Sequence, residues 1–323
     1  MSTITNFKKH IKRRNTKGYL LMFLLFFLVF PYILSIFCGN ERLTLVKGEN
    51  VGKIWVEEKY LWGTKQIEME EYLPGMLAGT IPSSFEKETL KAQAIILRSY
   101  CVCLAENKGG KKVISAEKLK DFYYAKEDMI KLEGVEGEKA YALLQEAVEE
   151  TKGKILLYNN EVISPPFFHS GNGRTRNISD YPQGKTEYGY LKSVICEKDI
   201  EAEGYSNYKE VSLKEFEESI RKYLGKNQAG TGKIVLYKDS TDYVKVVEIG
   251  GRQINGEDFR DLFGMDSSCF QIEKINDKIQ FKTRGRGHGF GFSQFQANEL
   301  AKDGKEAVDI LMYFFQNIVL EKI

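Results

Sequence analysis

Four glycines alternate with other residues over positions 285–291, inside the stretch RGRGHGFGFSQF (284–295). Successive side chains of a β-strand point to opposite faces, so this alternation predicts a strand with one face lacking Cβ atoms. Glycine weakens a strand, and its use here therefore indicates a bend or a close approach by backbone or ligand. A dinucleotide fingerprint is excluded, because GxGxxG beginning at Gly285 needs glycine where Phe290 stands.

Two interpretations of this stretch remain open. One is a tight strand packed beneath a helix, for which Ser293 is a natural cap before a helix that begins near Gln294. The other is the floor of a groove for a flat polymer. Sugar rings suit such a groove, because their apolar faces stack on aromatic rings while Arg, His and amide groups bind their hydroxyls.

The N-terminus combines a basic segment with an apolar one. Six Lys/Arg and no acidic residue precede Gly39, and residues 19–37 are almost entirely apolar. This pattern predicts a cytoplasmic tail (1–18), a single transmembrane helix (19–37) and an extracytoplasmic domain (38–323). A cleaved signal peptide is the alternative, but bulky residues precede Cys38 where cleavage prefers small ones.

Charge and cysteine content exclude several classes of protein. Beyond the tail, 41 basic residues face 45 acidic ones, so the domain shows no basic footprint for nucleic acid. Five scattered cysteines without a CxxC pair do not form a disulfide framework. His169 and Cys196 also fit a zinc site, but buried free thiols are the simpler interpretation. No cofactor or metal is predicted.

Helices and hairpins intermix along the chain, which predicts an α+β fold of mostly antiparallel sheet with packed helices. The local predictions are a helix over 68–79 with Pro74 in its first turn or breaking it, a Ser83 or Ser84 cap for a helix over 86–105, an insertion near 109–133, hairpins over 154–163, 233–251 and 270–284, and a strand over 190–196.

Two further segments carry groups suited to a polar site. In FFHSGNGRTRN (167–177), His169 follows a strand end and Arg174 adds a donor. His169 and His288 are the histidines beyond the predicted membrane segment, and both lie among glycines, which favours a shared cleft over two core histidines. In the segment 73–100, a loop joins two helices, and Arg98 is predicted to point to a polar site. An ordinary amphipathic helix is the alternative there.

Together, EEYLPGMLAGTIPSSFEKETLKAQAIILRSY, FFHSGNGRTRN and GRGHGFGFSQFQANELAKDGKEAVDILMYFF resemble, in this order, the stage II sporulation protein D (SpoIID/LytB domain) family. The resemblance covers roughly residues 66–318, and the last motif is its most specific part. The family's usual form inserts another Trp or Gly beside the histidine, and this chain has the shorter version.

The resemblance implies a protein that acts on peptidoglycan. Catalytic members of the family are lytic transglycosylases, in which one glutamic acid protonates the glycosidic oxygen. The sugar's own 6-hydroxyl then closes on the anomeric carbon, whereas ordinary glycoside hydrolysis needs two carboxylates. Such an acid needs a raised pKa in a partly desolvated site.

This chain departs from the family pattern at the acid itself. The position of the family's glutamate is occupied by Thr80, whose hydroxyl is far too weak an acid. Glu88, Glu70 and Glu71 are carboxylates elsewhere in the segment, with Glu88 as the fallback proton donor. The sequence therefore favours a member that binds glycan or enhances a partner hydrolase without cleaving. A transglycosylase with a relocated acid, and a tethered structural subunit, are the alternatives.

The predicted partners are peptidoglycan glycan strands, the membrane through residues 19–37, and an amidase or other wall hydrolase, in a setting of sporulation and engulfment. The residues predicted to bind substrate are Thr80, Arg98, His169, Ser170, Gly173, Arg174, Arg286, Gly287, His288, Gly289, Ser293 and Gln294.

Overall fold

The computed structural model describes residues 52–181, 187–225 and 232–323. The strands are β1 (Ile54–Tyr60), β2 (Gly63–Glu68), β3 (Glu106–Lys108), β4 (Lys111–Ser115), β5 (Lys154–Tyr158), β6 (Glu161–Val162), β7 (Phe167–Phe168), β8 (Ser206–Ser212), β9 (Ile234–Lys238), β10 (Val244–Ile249), β11 (Arg252–Asn255), β12 (Phe270–Ile275), β13 (Lys278–Arg284), β14 (Phe292–Ser293) and β15 (Ile318–Lys322). The helices are α1 (Met69–Thr80), α2 (Lys87–Leu104), α3 (Lys126–Glu133), α4 (Val135–Glu150), α5 (Leu213–Leu224), α6 (Gly256–Leu262), α7 (Gln294–Lys302) and α8 (Ala307–Phe314).

The strands form several small sheets, and most neighbours are antiparallel. Their orders are β2-β1-β4-β3, β11-β10-β9, β12-β13-β8, β15-β5-β6 and β14-β7. The pairs β1–β4 and β14–β7 are parallel. The predicted α+β fold of mostly antiparallel sheet is confirmed for the described residues. The β14–β7 pair matters most for the site, because it sets the end of the glycine-rich stretch beside Phe167 and Phe168.

Three hydrophobic clusters hold these elements together. The first joins α1, α2 and α4 with β1 and β5, and the second packs α7 and α8 against the other side of α2. The third lies between α5, α6 and the sheets of β8–β13. The predicted buried face of α2 is confirmed, since Leu90, Ala94, Leu97 and Cys101 all belong to the first cluster. Helix α2 therefore lies at the centre of the first two clusters.

The three predicted hairpins are confirmed. Asn159 and Asn160 have φ values of +53° and +65° between β5 and β6, as a tight primed turn requires. The pairs β9–β10 and β12–β13 are antiparallel, and β11 adds a third strand to the first of them. The hairpins were predictable because the preference of turn residues for positive φ depends only on the neighbouring chain.

Two predictions about the first helices are wrong. Pro74 lies at the sixth residue of α1 without breaking it, because burial of the neighbouring Leu73 and Met76 offsets the lost hydrogen bond. Neither Ser83 nor Ser84 caps α2, whose N-cap residue is Glu86. The amide of Glu86 instead donates to Asn298 Oδ1 of α7 at 2.7 Å, so a distant side chain completes the first turn.

The strand predicted over 190–196 is also wrong. Within it, Ile195 forms a single bridge with Arg174, and the amide of Cys196 donates to the carbonyl of Gly173 at 2.8 Å. The apolar side chains of Tyr190 and Leu191 are buried in the second cluster. The apolar run thus reflects burial along an irregular segment.

The glycine-rich stretch is not a strand with one bare face. Strand β13 ends at Arg284, and Gly285, Gly287, Gly289 and Gly291 all have φ between +75° and +121°. A Cβ on Gly289 would lie 2.3 Å from Tyr243 Cζ. The missing side chains therefore give room to protein atoms, and the bare strand face on which the predicted groove floor depended is absent. The alternative, a tight strand beneath a helix, is right about the close packing and wrong about the strand.

The predicted insertion over 109–133 contains β4 and α3 and packs on α1. The ring of Tyr123 stacks on that of Tyr72, with centroids 4.2 Å apart. Among the described residues no helix has the length and apolar character to cross a membrane. The predicted transmembrane segment, residues 19–37, and the tail before it lie outside the described residues.

Replacing Gly289 by alanine tests the packing role. Gly304 has a matching φ of +83° but open space around it, so Gly304→Ala should cost only the left-handed strain, about 1–2 kcal/mol. Gly289→Ala should lose roughly 1–3 kcal/mol more through overpacking against Tyr243. Urea unfolding of the two variants measures the difference, and equal losses would contradict this account.

Candidate functional site

The three segments singled out in the sequence meet at the start of α7. Ser293 caps the helix, and Gln294 Nε2 donates to the carbonyl of Thr80 at 2.8 Å. The amide of Phe295 donates to the carbonyl of His169 at 2.9 Å. The end of α1, the loop after β7 and the glycine-rich stretch are therefore parts of one region.

Residues 168–170 lie between the other two segments. Ser170 is buried and exchanges two backbone hydrogen bonds with Arg286, at 3.2 and 2.7 Å. The ring of Phe168 lies 5.7 Å from that of His288, whereas the ring of His169 lies 6.4 Å from that of Phe85. The two imidazoles therefore have different aromatic neighbours.

Thr80 is half-buried at the last position of α1. Its hydroxyl donates to the carbonyl of Met76 at 2.8 Å and lies 3.3 Å from that of Leu77. Within the described part of the chain, the hydrogen-bond partners of this hydroxyl are backbone groups of its own helix, and no carboxylate is among them. The position that the motif resemblance assigns to the acid thus carries a hydroxyl that does not ionise at ordinary pH and whose hydrogen-bond partners are backbone carbonyls.

An unpaired donor lies close to Thr80. Gln93 is fully buried in α2, and its Oε1 accepts from Gln294 Nε2 at 3.3 Å. Its Nε2 has no hydrogen-bond partner, which is the one such buried side-chain atom in the described residues. The same Gln294 amide also donates to the carbonyl of Thr80. Gln294 therefore links the side chain of Gln93 to Thr80 through hydrogen bonds.

Glu88 is engaged in the fold. It accepts from Lys91 Nζ at 2.7 Å and from the amide of Ala307, the first residue of α8, at 2.9 Å. Burial alone would raise the pKa of Glu88, but these two donors outweigh it and hold the pKa below its ordinary value. A general acid needs a raised pKa, so the contacts argue against Glu88 as the relocated proton donor.

Arg98 points into the protein instead of toward a cleft. Its guanidinium is fully buried and pairs with Glu70 through two hydrogen bonds of 2.8 and 2.9 Å. It also donates to the carbonyls of Val148 and Lys154. These partners tie α1, α4 and β5 together, and they occupy the carboxylate of Glu70 as well.

His288 is neutral at ordinary pH. Burial lowers its pKa to about 4, although the nearby carboxylate of Glu257 acts in the opposite direction. Its Nδ1 accepts from the amide of Phe290 at 3.1 Å, so the proton of the neutral ring lies on Nε2. His169 has a lowered pKa for a similar reason, since it is half-buried and lies near the cation of Arg286. Both rings therefore act as hydrogen-bonding groups without charge.

Arginine supplies the accessible positive charge. The side chains of Arg174 and Arg286 are both exposed, and Arg174 Nε lies 3.5 Å from Ser193 Oγ. Gly173 is half-buried, and a Cβ there would lie in ordinary contact with Ile200 Cγ2 at 3.9 Å, whereas the amide of Gly287 is engaged with the carbonyl of Asp266 at 2.8 Å. The two arginines are the predicted site residues best placed to meet an anionic or hydroxyl-rich ligand.

A buried ionic network escaped the sequence analysis. Arg176 is 1% exposed and donates to Asp239 at 2.8 Å, to Glu257 at 2.5 Å and to the carbonyl of His288 at 3.0 Å. Its guanidinium also lies 4.6 Å from the ring centroid of Phe290. The histidine of the glycine-rich stretch is therefore positioned by a residue of the HSGNGRTRN segment.

Asp199 is a second missed residue. It is buried and accepts from the amide of Gly171 at 2.6 Å, from Ser293 Oγ at 2.6 Å and from the amide of Gln296 at 3.1 Å. It joins the loop after β7 to the N-terminus of α7. No spacing pattern in the sequence points to this residue, because its partners lie far away along the chain.

The described residues contain no group of three or more His, Cys, Asp or Glu that could hold a metal ion. Cys196, the candidate zinc ligand, is a buried free thiol, as are Cys101, Cys103 and Cys269. Burial raises the pKa of the Cys196 thiol well above its ordinary value, which disfavours the thiolate that zinc needs.

Comparison with known proteins gives the class. The family model of the stage II sporulation protein matches residues 57–158. The chain is 34% identical over 257 residues to stage II sporulation protein D of Bacillus subtilis (strain 168). The aligned region covers 78% of this chain and 74% of that protein. The protein of the same name from Bacillus amyloliquefaciens is 30% identical over 79% of this chain and 74% of its own length.

The chain therefore belongs to the stage II sporulation protein D family, and the resemblance found in its motifs is confirmed. It is also similar to the amidase enhancer of Bacillus subtilis (strain 168), at 22% identity over 77% of this chain and 40% of that protein.

The carboxyl of Asp199 predicts a pH dependence of stability. Burial raises its pKa from 3.8 to about 6, against the opposing hydrogen bonds from Ser293, Gly171 and Gln296. The folded pKa exceeds the unfolded one, so the stability that it contributes is complete below pH 3.8 and is lost as the pH rises through 6. Asp199→Asn does not titrate. The wild-type free energy of unfolding should fall relative to this variant by about 2 kcal/mol between pH 4 and pH 7.

Urea unfolding at several pH values measures this difference. Asp303→Asn, which alters an exposed aspartate, controls for the loss of one negative charge. If the free energies of unfolding of the wild type and Asp199→Asn change in parallel with pH, burial does not raise the pKa of the Asp199 carboxyl.

Proposed function

We propose that this protein is a membrane-anchored cell-wall protein that binds peptidoglycan glycan strands without cleaving them and enhances a partner hydrolase such as an amidase. The observation that carries the proposal is the hydroxyl of Thr80, which occupies the family's acid position and donates to the carbonyl of Met76. A transglycosylase that follows the family chemistry needs a proton donor there. Threonine at this position favours binding over cleavage.

Binding to glycan is supported by polar groups on the two other motif segments that meet the end of α1 at the start of α7. The exposed Arg174 and Arg286 can donate to sugar hydroxyls and to the carboxylates of the wall. The neutral His169 can donate or accept without an added charge, whereas His288 already accepts from the amide of Phe290 through Nδ1. This combination of cations and an uncharged hydrogen-bonding ring is suited to a polar polymer with scattered negative charge.

Enhancement of a hydrolase is supported by a relative. A protein named amidase enhancer is similar over most of this chain. We extend that role to this protein, with residues 1–18 in the cytoplasm, residues 19–37 as the single-pass anchor and the domain from residue 38 facing the wall. The wall remodelling of sporulation and engulfment is the setting that the family name suggests.

Restoring the acid tests the absence of catalysis. Thr80→Glu should release anhydro-muropeptides from glycan strands at roughly 10²-fold or more above the wild type, because a general acid commonly contributes 10²–10⁴-fold. Muropeptide analysis by mass spectrometry detects these products. Thr80→Gln, which has the same shape without the acidic proton, should release none.

Two outcomes would revise the proposal. Anhydro products from the wild type that disappear in Glu88→Gln would make the protein an enzyme with a relocated acid. No products from a folded, glycan-binding Thr80→Glu variant would show that further catalytic groups are missing as well.

Replacing Arg286 tests glycan binding. Arg286→Ala removes a charged donor from the exposed part of the site and should weaken binding to purified cell walls by about ten-fold, the usual loss for one charge-assisted hydrogen bond. Sedimentation with sacculi measures bound and free protein. Arg252→Ala, which removes an exposed arginine on β11, is the matched control. Equal binding by both variants would place the glycan site elsewhere.

A further inference from the structure

The hairpin of β1 and β2 ends in an exposed apolar tip. Tyr60, Leu61 and Trp62 are 58%, 94% and 96% exposed, although the base of β1 is buried at Ile54 and Val56. Three consecutive large apolar side chains at one tip differ from the singly scattered ones that are normal on protein surfaces. The tip thus offers apolar surface that the described residues of the domain do not cover.

Positive charge flanks this tip. Lys59 and Lys65 are both exposed, and neither takes part in an ion pair within the described residues. The carboxylate of Glu58, which lies opposite Lys65 in the hairpin, accepts a hydrogen bond from the hydroxyl of Tyr60. The tip therefore combines an aromatic and aliphatic end with two available cations behind it.

The position of the hairpin in the chain brings it close to the proposed anchor. Residues 38–53 separate the apolar segment 19–37 from β1, and at ~3.3 Å per residue they reach roughly 50 Å when extended. Strand β1 has seven residues, so the tip lies about 23 Å from Ile54 along the strand. The connection is long enough for the hairpin to point back to the membrane.

We propose that the tip formed by Tyr60, Leu61 and Trp62 inserts into the outer interface of the bilayer, an inference that rests on the anchoring in the proposed function. Tryptophan and tyrosine favour the boundary between headgroups and acyl chains, where their rings find both apolar and polar surroundings. Lys59 and Lys65 then lie at the level of anionic headgroups. Two attachments, the anchor and the tip, hold the domain in one orientation to the membrane.

Tryptophan fluorescence tests the insertion directly. The chain has two tryptophans, Trp55 and Trp62, so Trp55→Phe leaves the tip residue as the sole emitter. The full-length variant is placed in nanodiscs of phosphatidylcholine and phosphatidylglycerol, and in matching discs whose phosphatidylcholine carries bromine on its acyl chains. Emission of Trp62 should fall at least two-fold in the brominated discs.

The reciprocal variant is the control. Trp62→Phe retains Trp55, which lies at the base of β1 beneath Lys111 Nζ at 5.9 Å and should be unaffected by bromine. Circular dichroism confirms that both variants fold. In the Trp55→Phe background, replacing Lys59 and Lys65 by glutamine should reduce the quenching in discs that contain phosphatidylglycerol. Quenching that does not respond to the lysines would overturn their part in the proposal.

Equal emission of Trp62 in both kinds of disc would overturn the insertion. Emission that resists bromine but is shielded from aqueous acrylamide would show that protein and not lipid covers the tip, and would overturn the insertion equally. Co-elution of the protein with the discs reports the anchor, and sedimentation with sacculi reports glycan binding. A failure of the tip is thereby distinguished from a failure of the proposed function.

Discussion

The site depends on one buried cation. Arg176 is held by the carboxylates of Asp239 and Glu257, and in turn it binds the carbonyl of His288. Three distant parts of the chain meet on this guanidinium, and each buried charge has a partner. Removing one member of such a network leaves an uncompensated charge in the interior, which commonly costs about 3–5 kcal/mol. The conformation of the glycine-rich stretch rests on that balance.

Features that depend on neighbours along the chain were predictable. The hairpins followed from turn residues such as Asn159 and Asn160, and the buried face of α2 followed from its helical spacing. Pairings between residues far apart in the sequence were not predictable from local patterns. Arg176, for example, pairs with Asp239 and Glu257, which lie 63 and 81 residues further along the chain. The same holds for the start of α2, where Asn298 of another helix accepts from the amide of the N-cap residue Glu86.

Only part of the candidate site could be predicted from the sequence, because local patterns do not show which distant residues a side chain meets. The motifs identified the three segments that converge at α7, but not the direction of each side chain. Arg98 was expected in a cleft and is buried with Glu70, since the preference of a buried cation for a carboxylate cannot be read from helical spacing. The alternation of glycines correctly indicated close approach, but positive φ angles are invisible in a spacing pattern, and so the open face was assigned wrongly.

The carboxylate of Asp199 has a consequence for the kind of ligand the site can take. A helix N-terminus attracts anions because its first amides lack partners and its dipole is positive there. At the N-terminus of α7 the protein's own Asp199 carboxylate already occupies this position, since it accepts from the amide of Gln296 and from Ser293 Oγ. Under the proposed function, an acidic group on a wall polymer would therefore find its counter-charge in the exposed guanidinium groups of Arg174 and Arg286 instead of the backbone amides of α7.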